Sequence, residues 1–132
     1  MRFEHLGAFA YSPEEGTPAA KLKKRVAPAV AERRRREIME LQRELSLGNN
    51  RRLVGRTLRV LVEEPVRLGD AEGEPGGVSA EGGLLLVGRH EGQAPEIDGV
   101  VYIDGGSAAA GQFVDVEITE AHEYDLVGNI VL

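Results

Sequence analysis

Residues 114–118, Val-Asp-Val-Glu-Ile, alternate β-branched apolar side chains with acids. That period of two is the pattern of an extended strand with one buried face and one wet face. Four further runs carry a similar signal. Thr57–Val62 places Leu58, Val60 and Val62 on one face, Leu84–Val87 is a short apolar run, Val100–Ile103 ends at Asp104-Gly105-Gly106, and Tyr124–Val131 is interrupted by Gly128. The interruption predicts a bulge or a corner in the last strand. Residues 63–83 hold six glycines and two prolines among many acids, which reads as a long hairpin connection. Five short strands with no helix between them predict a small, closed, five-stranded antiparallel barrel over residues 53–132, because closure removes exposed strand edges. Leu58, Val60, Val114, Val116 and Ile118 are its expected core.

The sequence ahead of this module is of a different kind. Residues 3–11, Phe-Glu-His-Leu-Gly-Ala-Phe-Ala-Tyr, read as a short strand, and Ser12–Pro18 breaks any regular element with two prolines and a glycine. Residues 19–27 are basic and irregular. Pro28 suits the first turn of a helix running to about residue 47, with Val30, Ile38, Leu41 and Leu45 forming an apolar stripe that Arg34 extends through its aliphatic stem. On that helix Arg33 and Arg36 can pair with Glu37 and Glu40 at i+4, so the Arg33–Arg36 run reads as a solvated, salt-bridged face rather than a nucleic-acid motif. Gly48-Asn49-Asn50 supplies the expected stop.

Charge divides along the same line. Residues 1–52 carry 12 Lys/Arg against 7 Asp/Glu, whereas residues 53–132 carry 4 against 15, a net of −11. A module this acidic repels phosphate backbones and attracts basic partners. Its cations are Arg56, Arg59, Arg67 and Arg89, and its aromatics are Tyr102, Phe113 and Tyr124, a sparse set for nonspecific RNA binding. The chain contains no cysteine, which excludes disulfides and thiolate metal sites within it. His5, His90 and His122 lack the close spacing of a metal site and read as structural or surface residues. No 18-residue apolar run exists and the first residues do not form a signal peptide, so a cytoplasmic protein with no membrane partner is expected.

Several stretches carry a family resemblance. Phe9–Ala20 resembles the segment that closes the radical SAM domain of bacterial methylthiotransferases, and the Arg-rich helix ending in Leu41-Gln42, followed by Leu53-Val54-Gly55-Arg56, resembles their linker into a C-terminal TRAM domain. Gly88–Gly99, Gly-Arg-His-Glu-Gly-Gln-Ala-Pro-Glu-Ile-Asp-Gly, is very similar to the version in the branch that modifies a ribosomal protein, and Glu123–Gly128 fits that branch too. The tRNA-modifying relatives usually have a less acidic stretch there. At Leu47-Gly48-Asn49 this chain departs from relatives that continue the helix with charged residues, so the helix is expected to end early.

The resemblance implies residues 1–27 as the end of a radical SAM barrel, residues 28–52 as a linker helix and residues 53–132 as an OB-like TRAM domain. It also implies a parent enzyme that uses two 4Fe-4S clusters and S-adenosylmethionine to methylthiolate the β-carbon of an aspartate in ribosomal protein S12. Family members carry a CxxxCxxC motif and further cysteines upstream of the region matched here. This cysteine-free chain therefore resembles a C-terminal fragment, and alone it is expected to bind no cofactor and to have no catalytic residues. Its expected role is to hold the basic substrate, S12 or the ribosomal subunit that contains it. Glu91, Glu96, Asp98 and Asp104 are the candidate substrate-binding residues, joining the motif loop to the neighbouring hairpin. The alternatives are an RNA-binding TRAM module of a tRNA methylthiotransferase, which the charge disfavours, and a structural accessory domain without substrate contact.

Overall fold

The computed structural model describes residues 2–67 and 84–132. It divides into two units, residues 1–45 and 46–132. The second unit holds five strands: β1 (Thr57–Arg67), β2 (Leu84–His90), β3 (Val101–Ile103), β4 (Phe113–Ala121) and β5 (Leu126–Ile130). They close into a barrel in the order β1-β2-β3-β5-β4.

The barrel is mixed rather than antiparallel as expected. β1 pairs antiparallel with β2 and β4, β2 with β3, and β4 with β5, while β3 and β5 run parallel. The reason is parity. Strand directions cannot alternate around a ring of five, so a closed five-stranded barrel must contain at least one parallel pair.

The alternating pattern survives closure. In β4, Val116 and Ile118 are buried while Asp115 and Glu117 face solvent. They join Val60, Val62, Leu86, Val101, Ile103 and Leu126 in one core. Leu58 and Val114 lie half-buried against it. β1 runs on through Arg67, so residues 63–67 are strand rather than connection; the rest of that expected connection, residues 68–83, lies outside the described residues. Pro65 is tolerated there because β4 pairs with β1 only as far as Leu61, leaving Pro65 bonded to a strand on one side alone.

Gly128 sits inside β5, and the register shift lies across from it on β4, between Ile118 and Glu120. The glycine answers a different need from a bulge. A Cβ at this position would run into the Glu117 carbonyl oxygen and come within 2.6 Å of Val116 Cγ1, so the two strand backbones close only over a hydrogen.

The helix α1 (Pro28–Arg51) outruns its expected end by about a turn and passes through Gly48. In its last turns Ser46 Oγ donates to the Glu123 carbonyl and Asn50 Nδ2 donates to the His122 carbonyl at 2.9 Å. Those tertiary bonds offset the glycine penalty of about 1 kcal/mol. The chain turns instead at Gly55, with φ of 85° and an N–H donated to the Ile118 carbonyl at 2.8 Å.

The first unit departs further from expectation. Residues 3–11 form no strand, and residues 2–27 contain only a short 3-10 turn at Ala19–Lys21, so no remnant of a larger barrel is present there. A strand needs a neighbouring strand to take its backbone bonds, and among the described residues no strand pairs with this segment. Within this unit of the helix, Val30 and Leu45 are half-buried but Ile38 and Leu41 are exposed, so the apolar stripe is only partly covered. Arg33 does pair with Glu37, at 3.8 Å. A tighter contact joins Arg35 Nε to Glu32 Oε2 at 2.9 Å. That hydrogen bond holds the Glu32 carboxyl below its ordinary range and raises Arg35. Gln42 is buried, its amide donating to the carbonyls of Phe3 at 3.2 Å and Glu4 at 3.3 Å. Among the described residues no helix is long and apolar enough to cross a membrane.

Candidate functional site

The β2–β3 connection, residues 91–100, contains most of the predicted acids, and its shape follows from a few short-range bonds. At its start Gln93 is buried, its side-chain oxygen accepting the His90 N–H at 3.1 Å while its own N–H donates to the His90 carbonyl at 3.1 Å. His90 Nδ1 accepts the Gly92 N–H at 3.0 Å. Further along, Asp98 closes a turn: its carboxylate accepts the Ala94 N–H at 2.7 Å and its N–H donates to the Ala94 carbonyl at 3.1 Å. Short polar side chains compete well for such local backbone groups.

At the end of the loop, Gly99 lies against the Tyr124 carbonyl so closely that a Cβ would overlap it. Next to it, Asp125 Oδ1 accepts the Val100 N–H at 2.9 Å, and the Leu126 N–H donates to the Val100 carbonyl at 3.0 Å. Both ends of the loop are thus bonded into the barrel. What remains at the tip is Pro95, Glu96 and Ile97, all exposed.

The four predicted acids have different situations. Glu91 and Glu96 are exposed, and Glu96 adopts φ of 63°, a left-handed conformation uncommon outside glycine and asparagine. Asp98 is half-buried and its carboxylate holds the turn. Asp104 follows β3, at the opposite end of that strand from the loop, and its N–H donates to the Gly128 carbonyl at 2.9 Å. A three-residue strand spans about 10 Å. Three of the acids therefore share one loop and the fourth stands apart from it.

Beside Glu91 opens a groove of about 730 Å³, lined also by Leu58, Arg59, Leu61, Arg89, His90 and Phe113. The strand register assembles it: Leu61 pairs with Arg89 on one side and Phe113 on the other. The Arg59 guanidinium lies 4.6 Å from the centre of the Phe113 ring, a cation–π distance. Arg89 Nε is 2.7 Å from Glu63 Oε1. Phe113 is 58% exposed, more than a buried core ring would be. Two of the four arginines after residue 53 and one of its three aromatics thus converge. Their separation in sequence, at 59, 89 and 113, concealed this, and only the outward position of Arg59 in an alternating strand hinted at it.

The three histidines lie apart in the chain, with His5 exposed. His90 shapes the loop, and His122 is half-buried with Nε2 at 2.7 Å from Glu120 Oε1, not aligned as a hydrogen bond. Among the described residues no cluster of three or more His, Cys, Asp or Glu could hold a metal ion. These surfaces offer groups for binding: an acidic loop bonded at both ends into the barrel, beside a groove with two guanidinium groups and an aromatic face.

A family model described as TRAM domain matches residues 54–131. Curated relatives named ribosomal protein uS12 methylthiotransferase RimO align over nearly the whole chain. The protein from Myxococcus xanthus (strain DK1622) is 49% identical over 99% of this chain and 25% of its own length. That from Anaeromyxobacter sp. (strain Fw109-5) is 49% identical with the same coverage, and that from Desulfitobacterium hafniense (strain Y51) is 46% identical over 99% of this chain and 26% of its own. The chain spans about a quarter of the length of these relatives, and the resemblance read from its motifs is borne out by them.

Proposed function

Because the chain belongs to the TRAM domain family, we propose that it serves as the substrate-recognition portion of an enzyme that methylthiolates the β-carbon of an aspartate in ribosomal protein S12. In this reading residues 1–27, whose described part holds no barrel strand, correspond in sequence to the end of the catalytic domain, residues 28–52 link, and residues 53–132 hold the basic substrate, in the cytoplasm. The observation that carries it is the loop at residues 91–98. It presents carboxylates on a frame bonded into the barrel, within a segment of net charge −11. Complementary charge steers a basic partner to such a surface and suppresses acidic ones. Glu91 and Glu96 are the contact residues, Asp98 sets the loop's shape, and Asp104 extends the acidic surface. The parent's two 4Fe-4S clusters and S-adenosylmethionine would supply the radical and sulfur chemistry. The cluster thiolates would come from cysteines outside these 132 residues, since the chain has none.

A second reading has one observation in its favour. The exposed Phe113 with Arg59 stacked on it and Arg89 nearby is the composition of a base-stacking, phosphate-binding groove. The two readings separate in one titration of this chain with purified S12 and with tRNA at equal ionic strength. Tighter binding to S12, weakened by Glu91→Lys with Glu96→Lys and by added salt, supports the first. Tighter binding to tRNA, lost in Phe113→Ala, replaces it with the second.

A further inference from the structure

We infer that Ile97 is the apolar anchor through which this loop engages its protein partner, inserting into a pocket for a branched aliphatic side chain on an otherwise basic surface. The inference rests on the reading just proposed and adds a second kind of contact to it. Ile97 is 85% exposed, so nearly all of its apolar surface is available for a partner to bury. It does not lie on a loose tip. The turn beneath it is closed by both Asp98–Ala94 bonds, its start is held by buried Gln93, and its end is pinned where Gly99 meets the Tyr124 carbonyl. A side chain on a pre-ordered frame loses little freedom on binding, so its burial is realised as affinity.

The surroundings define the partner. Glu96 and Asp98 flank Ile97 directly, and residues 90–100 contain no Lys or Arg, so the rim attracts cations. An apolar centre within a charged rim is the usual anatomy of a recognition patch, with the centre setting the dissociation rate and the rim setting encounter and salt dependence. A partner bound by charge alone would have no use for the isoleucine. The combination fits a folded basic protein with a shaped pocket, and not a polycation.

That distinction supplies the test. The chain and two variants, Ile97→Ala and Glu91→Gln with Glu96→Gln, are titrated by calorimetry against purified S12 and against poly-lysine, with unfolding midpoints measured alongside. The expected result is that Ile97→Ala weakens S12 binding by roughly tenfold or more, the scale of a central apolar anchor. It should leave poly-lysine binding, the salt dependence and the unfolding midpoint unchanged. The glutamine pair should weaken both titrants and flatten the salt dependence. Unaltered S12 binding by Ile97→Ala overturns the anchor while leaving the acidic recognition surface standing. No S12 binding by the unsubstituted chain overturns the functional reading itself, and the anchor with it.

Discussion

Gly128→Ala distinguishes two reasons for a glycine in a strand, and they differ in sign. If Gly128 served only to let the backbone bend, alanine at its non-positive φ would be tolerated. It would then stabilise the fold by about 0.4–1 kcal/mol by restricting the unfolded chain. The structure calls for the opposite. The added Cβ meets the Glu117 carbonyl oxygen, which is backbone, and Val116 Cγ1 at 2.6 Å, which belongs to a fully buried core side chain. Neither can move without disturbing the β4–β5 ladder at the Ile118↔Gly128 pair, so the change should cost about 1–3 kcal/mol as overpacking does.

For a domain of this size, total stability of about 4–13 kcal/mol follows from 0.05–0.15 kcal/mol per residue. Each kcal/mol lowers the melting temperature by roughly 4–8 °C. Urea unfolding followed by far-ultraviolet circular dichroism reads the effect, the chain having no tryptophan. The double variant Gly128→Ala with Val116→Ala refines the test. Removing Cγ1 relieves the side-chain part of the clash and leaves the carbonyl part, so the two costs should fall short of additivity by about 0.5 kcal/mol or more. A neutral or stabilising Gly128→Ala, or strict additivity, would refute the close-approach account.

Two further outcomes follow from local geometry. Asn50→Ala should destabilise the barrel unit more than Ser46→Ala in the same urea assay. Ser46 loses one bond worth about 0.5–1.5 kcal/mol, and alanine's better helix propensity returns part of the loss at both positions. Asn50 loses its bonds to both His122 and Glu123 carbonyls. Glu32 should titrate below the ordinary carboxylate range by NMR because the Arg35 hydrogen bond favours its charged form. Its small contribution to the helix is therefore complete above the ordinary carboxylate pKa and is lost as pH falls through the lowered value; Arg35→Gln should return the titration to the ordinary range.

The amino-acid sequence by itself determined which residues turn inward in the alternating stretches of β1 and β4. Val116 and Ile118 are buried and Asp115 and Glu117 exposed because a period of two can be satisfied only one way once one face is covered. It likewise carried the acidic surplus and the motif loop in a single contiguous stretch, so Glu91 and Glu96 were legible as exposed acids and the family was legible from Gly88–Gly99. Three-dimensional closure decided the rest. That one pair runs parallel follows from the parity of a five-membered ring, which no local window encodes, and the strand order places it at β3–β5. The helix passes Gly48 because carbonyls more than 70 residues away accept from Ser46 and Asn50. Residues 3–11, strand-like in pattern, stay irregular because no strand among the described residues pairs with them. Asp98 became a structural acid and Ile97 an exposed apolar tip only when the turn closed between them and Ala94. Arg59, Arg89 and Phe113 met only through the register of β1 with its two neighbours. Periodicity and charge are properties of neighbours along the chain, whereas pairing, parity and groove are properties of residues that folding brings together from far apart.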